Sequence, residues 1–226
     1  MFERVATVPE LVWQPGLALG LEVGGAPLPP DLLDSTFTGL VRHVLDARSW
    51  VDVVPGWLRG PDVLFDRLLR EAEWTAREVP MYDRIVAEPR LTALFAGEPP
   101  APLAAIREAL RDRYATPFDS VAVNLYRDGR DSVAWHGDRV RHLFAAPMVA
   151  TVTLGAPRRF LLRPRTGGRA LMLRPGPGDL VVMGGACQRE WQHCVPKTTR
   201  AVGPRMAVTV RHLTAPHDPE VSAPGS

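Results

Sequence analysis

Three side chains are placed to hold a metal ion. His136-Gly137-Asp138 is a His-x-Asp element, and on extended backbone residues i and i+2 project to the same side. An imidazole and a carboxylate can therefore reach one ion from neighbouring positions. A third ligand must come from a distant segment, and His193, in Trp191-Gln192-His193 beyond the strand-like Val181–Met183, fits that need. Two histidines and one carboxylate on one face leave coordination positions open, as iron(II) oxygenases require for a cosubstrate and dioxygen. The same set suits a catalytic zinc, and a His-x-Asp alone also arises in ordinary turns. His43 lies in an ambiguous N-terminal segment, His142 and His212 read as surface groups or as supports behind the ligands, and His217 falls in the tail.

A second constellation points to an anionic small molecule. Arg205 and Arg211, in RMAVTVR, stand an even number of residues apart. On a strand that places both on one face, together with Thr209. Two guanidiniums aimed into a barrel are costly unless they meet anions. A dicarboxylate such as 2-oxoglutarate supplies both, and the planar fork of arginine suits bidentate carboxylate binding. Asn124 and Tyr126 alternate onto one side of their own segment and offer further hydrogen bonds. The plainer alternative is structural: a salt bridge for Arg205 and a core position for Tyr126.

These residues need strands to hold them, and the rest of the chain supplies the pattern. The 226 residues, 46% hydrophobic and 23% charged, suffice for one substantial core. Pro61 to Arg77 and Pro102 to Tyr114 read as amphipathic helices, with Leu64 and Leu68, then Leu103, Ile106 and Leu110, at helical spacing. A helix is possible from Pro30 to Arg48, after short extended pieces in residues 1–30. From Ser120 the pattern becomes that of strands: 120–127, 147–154, 159–163, 170–173, 179–183 and 205–213, separated by glycine and proline turns. Helices followed by a β-sandwich are expected, with a disordered tail over 214–226.

Composition narrows the setting. No apolar run of about 18 residues argues for a membrane span, and MFERVATVPE lacks a signal-peptide core, so a cytoplasmic protein is expected. Cys187 and Cys194 are too few for a disulfide framework and read as reduced thiols. The net charge is only +2, yet residues 157–174, PRRFLLRPRTGGRALMLR, carry six arginines and no acid. Such a basic face suits an anionic partner such as nucleic acid, although an ordinary solvated surface reads the same way.

Three stretches together, VAVNLYRDGRDSVAWHGD (121–138), GGACQREWQHCVPK (184–197) and RMAVTVR (205–211), resemble the AlkB family of iron(II)- and 2-oxoglutarate-dependent dioxygenases. The resemblance covers roughly residues 78–213. It implies an α+β protein whose double-stranded β-helix (jelly roll) core, 78–213, is preceded by an N-terminal extension, 1–77, with helices packing on it. It implies Fe(II) on His136, Asp138 and His193, and 2-oxoglutarate on Asn124, Tyr126, Arg205, Thr209 and Arg211, with O2 as the oxidant. MYDRIVAEPRLTALF (81–95) resembles the family's nucleotide-recognition region, so Tyr82, Arg90 and Phe95 become candidate substrate contacts, and arginines in 158–165, Arg165 among them, candidate phosphate contacts.

The implied reaction is oxidative demethylation of N-alkylated bases in DNA or RNA, with formaldehyde released and 2-oxoglutarate converted to succinate and CO2. The expected partner is nucleic acid, without a membrane, and the expected state a monomer. The alternative is the same oxygenase chemistry on a protein or small-molecule substrate. A non-catalytic jelly-roll binding protein is disfavoured by the complete set of ligands and arginines. Two features depart from the family pattern: Val140 stands where base-repairing relatives often carry an acid, and the GEPPAP following Ala96 is shorter than the hairpin many relatives have there.

Overall fold

The computed structural model describes residues 29, 31–76, 78–81, 84–95, 97–138 and 146–212. In chain order the elements are β1 (Val41–Val44), β2 (Ser49–Val54), α1 (Pro61–Glu71), β3 (Glu78–Met81), β4 (Arg84–Ala87), β5 (Leu91–Phe95), α2 (Ala101–Tyr114) and β6 (Ser120–Tyr126). Then follow β7 (Val133–His136), β8 (Val149–Gly155), β9 (Phe160–Pro164), β10 (Leu171–Leu173), β11 (Leu180–Gly185), α3 (Cys187–Glu190), β12 (Trp191–Val195) and β13 (Arg205–Arg211). Two antiparallel sheets form a jelly roll. The larger has the order β1-β2-β11-β8-β13-β6-β5 and the smaller β10-β9-β12-β7, while β3 and β4 make a separate hairpin.

The helix expected from Pro30 to Arg48 is not there. Its last part is β1, and the turn after it leads into β2. The cause is non-local: β2 pairs over its length with β11, far along the chain. Trp50 lies so closely over Gly184 that any side chain there would collide with the indole ring. Two strands thus precede the first helix, and the segment expected as an N-terminal extension supplies them to the large sheet. The expected pieces in residues 1–28 and the expected tail over 214–226 lie outside the described residues. Among the described residues no helix is long and apolar enough to cross a membrane.

α1 starts where Gly60 adopts the left-handed region (φ 62°) and Pro61 fits the first turn. It ends at Glu71 rather than Arg77, because Thr75 leaves to bridge Thr92, with both N–H···O bonds at 2.9 Å. Leu64, Phe65 and Leu68 of α1 and Leu103, Ile106 and Leu110 of α2 are buried against the outer face of the large sheet. A second core lies between the sheets, around Val149, Leu162, Val181, Met183 and Val195.

β13 joins both layers by its period of two. Met206, Val208 and Val210 belong to the core under the helices; Arg205, Ala207, Thr209 and Arg211 line the space between the sheets. Each buried apolar side chain is worth about 1.5–3 kcal/mol. A slip of one residue would turn all three into the polar cleft and drive both arginines under the helices, so burial fixes the register that presents the arginines.

Candidate metal and cosubstrate site

His136 ends β7 and His193 sits within β12, directly opposite in the antiparallel register. Their rings lie 4.3 Å apart between centroids. Asp138 follows after Gly137, and one ligand atom from each of the three residues lies within 4.8 Å of the others. A β-bulge shapes this corner: three steps on β7, Val133 to His136, face two on β12, Val195 to His193. The extra residue lets both Val133 and His136 line the same cleft. Gly137 is required as well. A Cβ there would come within 2.6 Å of the Gln188 carbonyl oxygen, which belongs to backbone.

The surroundings prepare the three groups for a cation. His136 Nδ1 lies 2.8 Å from the Ala134 carbonyl oxygen, which can only accept, so Nδ1 is the donor and Nε2 is the nitrogen left for an ion. Burial pushes the His193 imidazole down to about 4, against the pull of Asp138, so it is neutral near pH 7. Burial raises the Asp138 carboxyl, but Arg211, His193 and His136 outweigh it and hold the group below its ordinary value. Arg211 Nε donates to Asp138 Oδ1 at 3.0 Å. The Asp138 backbone N–H donates to Gln188 Oε1 at 3.0 Å, fixing the loop that carries the carboxylate.

Beside this cluster a cleft is lined by Asn124, Tyr126, Arg205, Thr209 and Arg211 along with the three ligand residues. Arg205 is 2% exposed. Its Nη2 meets Thr153 Oγ1 at 3.2 Å and its guanidinium lies 5.2 Å from the Tyr126 ring centre. Nε and Nη1 have no hydrogen-bond partner. A buried cation with two idle donors is matched chemically by a carboxylate. The residues present therefore fit an anionic ligand of 2-oxoglutarate's kind beside a divalent metal.

Thr92 and Gln188 escaped the sequence reading, and Arg90, read there as a substrate contact, joins them as a contributor around the site. Thr92 Oγ1 and Arg90 Nε both donate to Asn124 Oδ1, at 3.1 and 3.2 Å, which turns the amide nitrogen of Asn124 toward its remaining neighbours. Gln188, 2% exposed, is the third. Only Thr92 had a local signal, as it alternates with Leu91 and Ala93 on β5.

Of the candidate substrate contacts, Arg90 lines the cleft itself and also faces Glu88, with 3.0 Å between charged atoms. Phe95 is a correction. It shares the face of Leu91 and Ala93, packs on the helical core and lines an apolar groove with Leu64, Leu68 and Leu103. Arg158 is another correction. It is 3% exposed and donates to the carbonyls of Asp128, Asp131 and Pro196, so it is structural and out of reach of a phosphate. Arg165 is exposed, with Nη2 close over Gly137 at the rim of the metal corner. Tyr82 and Val140 lie outside the described residues. Both cysteines are free and buried.

A two-histidine, one-carboxylate corner between the sheets of a jelly roll, with an arginine-lined cleft beside it, defines a class of metal-dependent oxygenase. The family model of the 2OG-Fe(II) oxygenase superfamily matches residues 60–211. The alpha-ketoglutarate-dependent dioxygenase alkB homolog 3 of Bos taurus is 31% identical over 188 residues, 72% of this chain and 66% of that protein. The homologue from Rattus norvegicus is 31% identical over 202 residues, 78% and 68% of the two chains. The DNA oxidative demethylase ALKBH2 of Mus musculus is 30% identical over 149 residues, 60% and 62%. The solved structure of OsALKBH1 shares the fold, with a TM-score of 0.54 at 15% identity over 75% of this chain and all of that one. The chain belongs to the 2OG-Fe(II) oxygenase superfamily, and within it to the AlkB family. It spans about two thirds of the length of the alkB homolog 3 relatives.

Proposed function

We propose that this protein is an Fe(II)- and 2-oxoglutarate-dependent dioxygenase that oxidatively demethylates N-alkylated bases in DNA or RNA. The observation that carries the reading is Arg205: a buried guanidinium with Nε and Nη1 idle, in the same cleft as His136, Asp138 and His193. His136, through Nε2, His193 and Asp138 would hold the iron. Arg205 would bind one carboxylate of 2-oxoglutarate, with Asn124, Tyr126 and Thr209 as further hydrogen-bonding groups. Arg211 would serve the other end while keeping Asp138 ionised and oriented.

Iron and 2-oxoglutarate, when bound, supply dioxygen activation, with succinate and CO2 as coproducts. The protein's share is orientation and exclusion of side reactions. The walls from Val133, Phe160 and Val195 are apolar and limit water around the reacting carbon. A base must leave its stack to arrive there, at least cost from a single strand. The choice of alkylated nucleic acid is supported by the activity named for the ALKBH2 relatives and by the acid-free arginine segment. The test is mass spectrometry of methylated DNA and RNA oligonucleotides incubated with the protein, iron(II), ascorbate and 2-oxoglutarate. Loss of one methyl group per succinate formed is expected. Succinate formation with every oligonucleotide left intact would move the chemistry to a protein or small-molecule substrate.

A further inference from the structure

The outer face of the smaller sheet has no layer packed over it among the described residues, and its chemistry is one-sided. None of its four strands contains an aspartate or glutamate. On β9, Phe160 and Leu162 point into the core between the sheets, so Leu161 and Arg163 point out, flanked by Arg159 before the strand and Arg165 after it. Arg159 and Arg165 are exposed. Arg163 stands opposite Gln192 on the neighbouring strand, and Arg159, four residues earlier, shares its face. Neither they nor Arg165 pairs with a carboxylate among the described residues, whereas Arg42, Arg107, Arg127 and Arg130 elsewhere each do.

The row has an aromatic beside it. Arg163 lies over the Trp135 ring at 4.1 Å and reaches Gln192 Oε1 at 3.5 Å. Trp135 precedes His136 and faces outward because of the bulge in β7. Met172, 61% exposed, pairs with Leu161 on β10. Side chains two apart on a strand stand about 6.6 Å apart, so Arg159 to Arg165 form a cationic row about 20 Å long. Its near end is Arg165 above Gly137, between His136 and Asp138.

We propose that this face is a docking track for single-stranded nucleic acid. Arg159, Arg163 and Arg165 would follow successive phosphates and the Trp135–Arg163 stack would carry a base, so that the strand leads to the metal corner. The inference rests on the functional reading above and adds a surface to it. Phosphate-tracking cations joined to a stacking platform are what sequence-tolerant binding of a single strand requires.

The experiment is fluorescence anisotropy of a labelled 15-nucleotide oligothymidylate with the full chain, titrated across salt concentrations. Wild type is compared with the double variant Arg159→Gln/Arg163→Gln and with Arg163→Lys, with thermal melting to confirm folding. Each phosphate contact on a single strand contributes about 0.7 to the slope of log affinity against log salt. The double variant should therefore lose about 1.4 of that slope, while Arg163→Lys keeps its share. An unchanged slope in a folded double variant, with wild type still binding, overturns the track and leaves the enzymatic reading standing. If wild type binds no oligonucleotide, DNA or RNA, the track falls together with the nucleic-acid reading.

Discussion

Replacing Arg205 by methionine should stabilise the ligand-free protein and disable the cosubstrate site. The guanidinium is buried, and Nε and Nη1 lack partners. An unsatisfied buried donor costs about 1–3 kcal/mol, so two cost about 2–6 kcal/mol. The substitution also forfeits the Nη2 bond to Thr153, about 1.5–3 kcal/mol for a charged donor, and the contact with Tyr126, about 1 kcal/mol. Removing a buried charge adds to the gain, and exchanges of buried ionic groups for apolar ones stabilise by about 1–4 kcal/mol. A net gain of about 2 kcal/mol raises the Tm of a domain of this size by about 4–8 °C.

Binding should move the other way. Two charge-assisted hydrogen bonds at about 1.5–3 kcal/mol each correspond to a loss of affinity of about 10²- to 10⁴-fold. Thermal unfolding with Mn(II), with and without 2-oxoglutarate, reads both effects at once. At 100 times its Kd the ligand stabilises wild type by about 2.7 kcal/mol, whereas the variant should gain no more than about 0.4 kcal/mol. A variant that melts below wild type without ligand, or that shifts as wild type does with it, would refute the reasoning.

Other substitutions probe the frame around the site. Gln188→Leu removes the acceptor for the Asp138 N–H and should weaken metal affinity about 10- to 100-fold, measured by metal titration; unaltered affinity would show that the loop holds Asp138 without it. Phe95→Ala should lower stability by about 3 kcal/mol, the low end for a phenylalanine because this one is partly buried, in denaturant titration, and leave the KM for an oligonucleotide unchanged, because Phe95 faces the helices; a raised KM would return it to the substrate side. Asp52→Asn breaks the fork to Arg42, at 2.6 and 2.8 Å, and weakens the acceptor of the Tyr114 hydroxyl. A loss of about 2 kcal/mol is expected, below the 3–5 kcal/mol of a fully buried pair because Arg42 is half-exposed; equal stability would show that the network contributes nothing.

What the sequence revealed depended on locality. Alternation within Ser120–Tyr126 and Arg205–Arg211 placed Asn124, Tyr126, Arg205, Thr209 and Arg211 on definite faces, and the structure brings them into one cleft. The two-residue spacing of His136 and Asp138 worked in the same way. β1 and β2 were missed because the first is short and their decisive partner, β11, is remote in sequence. The bulge that turns His136 inward depends on pairing between β7 and β12, which no local pattern encodes. Arg158 and Phe95 were misplaced because a charge or an aromatic ring looks the same in a string whether it meets carbonyls, a helix or a ligand. Gln188 acts on backbone fifty residues away, and nothing in its own neighbourhood marks it.

The central claim is that His136, Asp138 and His193 hold the metal that couples 2-oxoglutarate oxidation to demethylation. The direct measurement is succinate release by His136→Ala beside wild type, in iron(II) and a methylated oligonucleotide, with melting curves to show that both are folded. The account predicts that succinate and formaldehyde form together in wild type and that both vanish in the folded variant. Undiminished succinate from His136→Ala would contradict it.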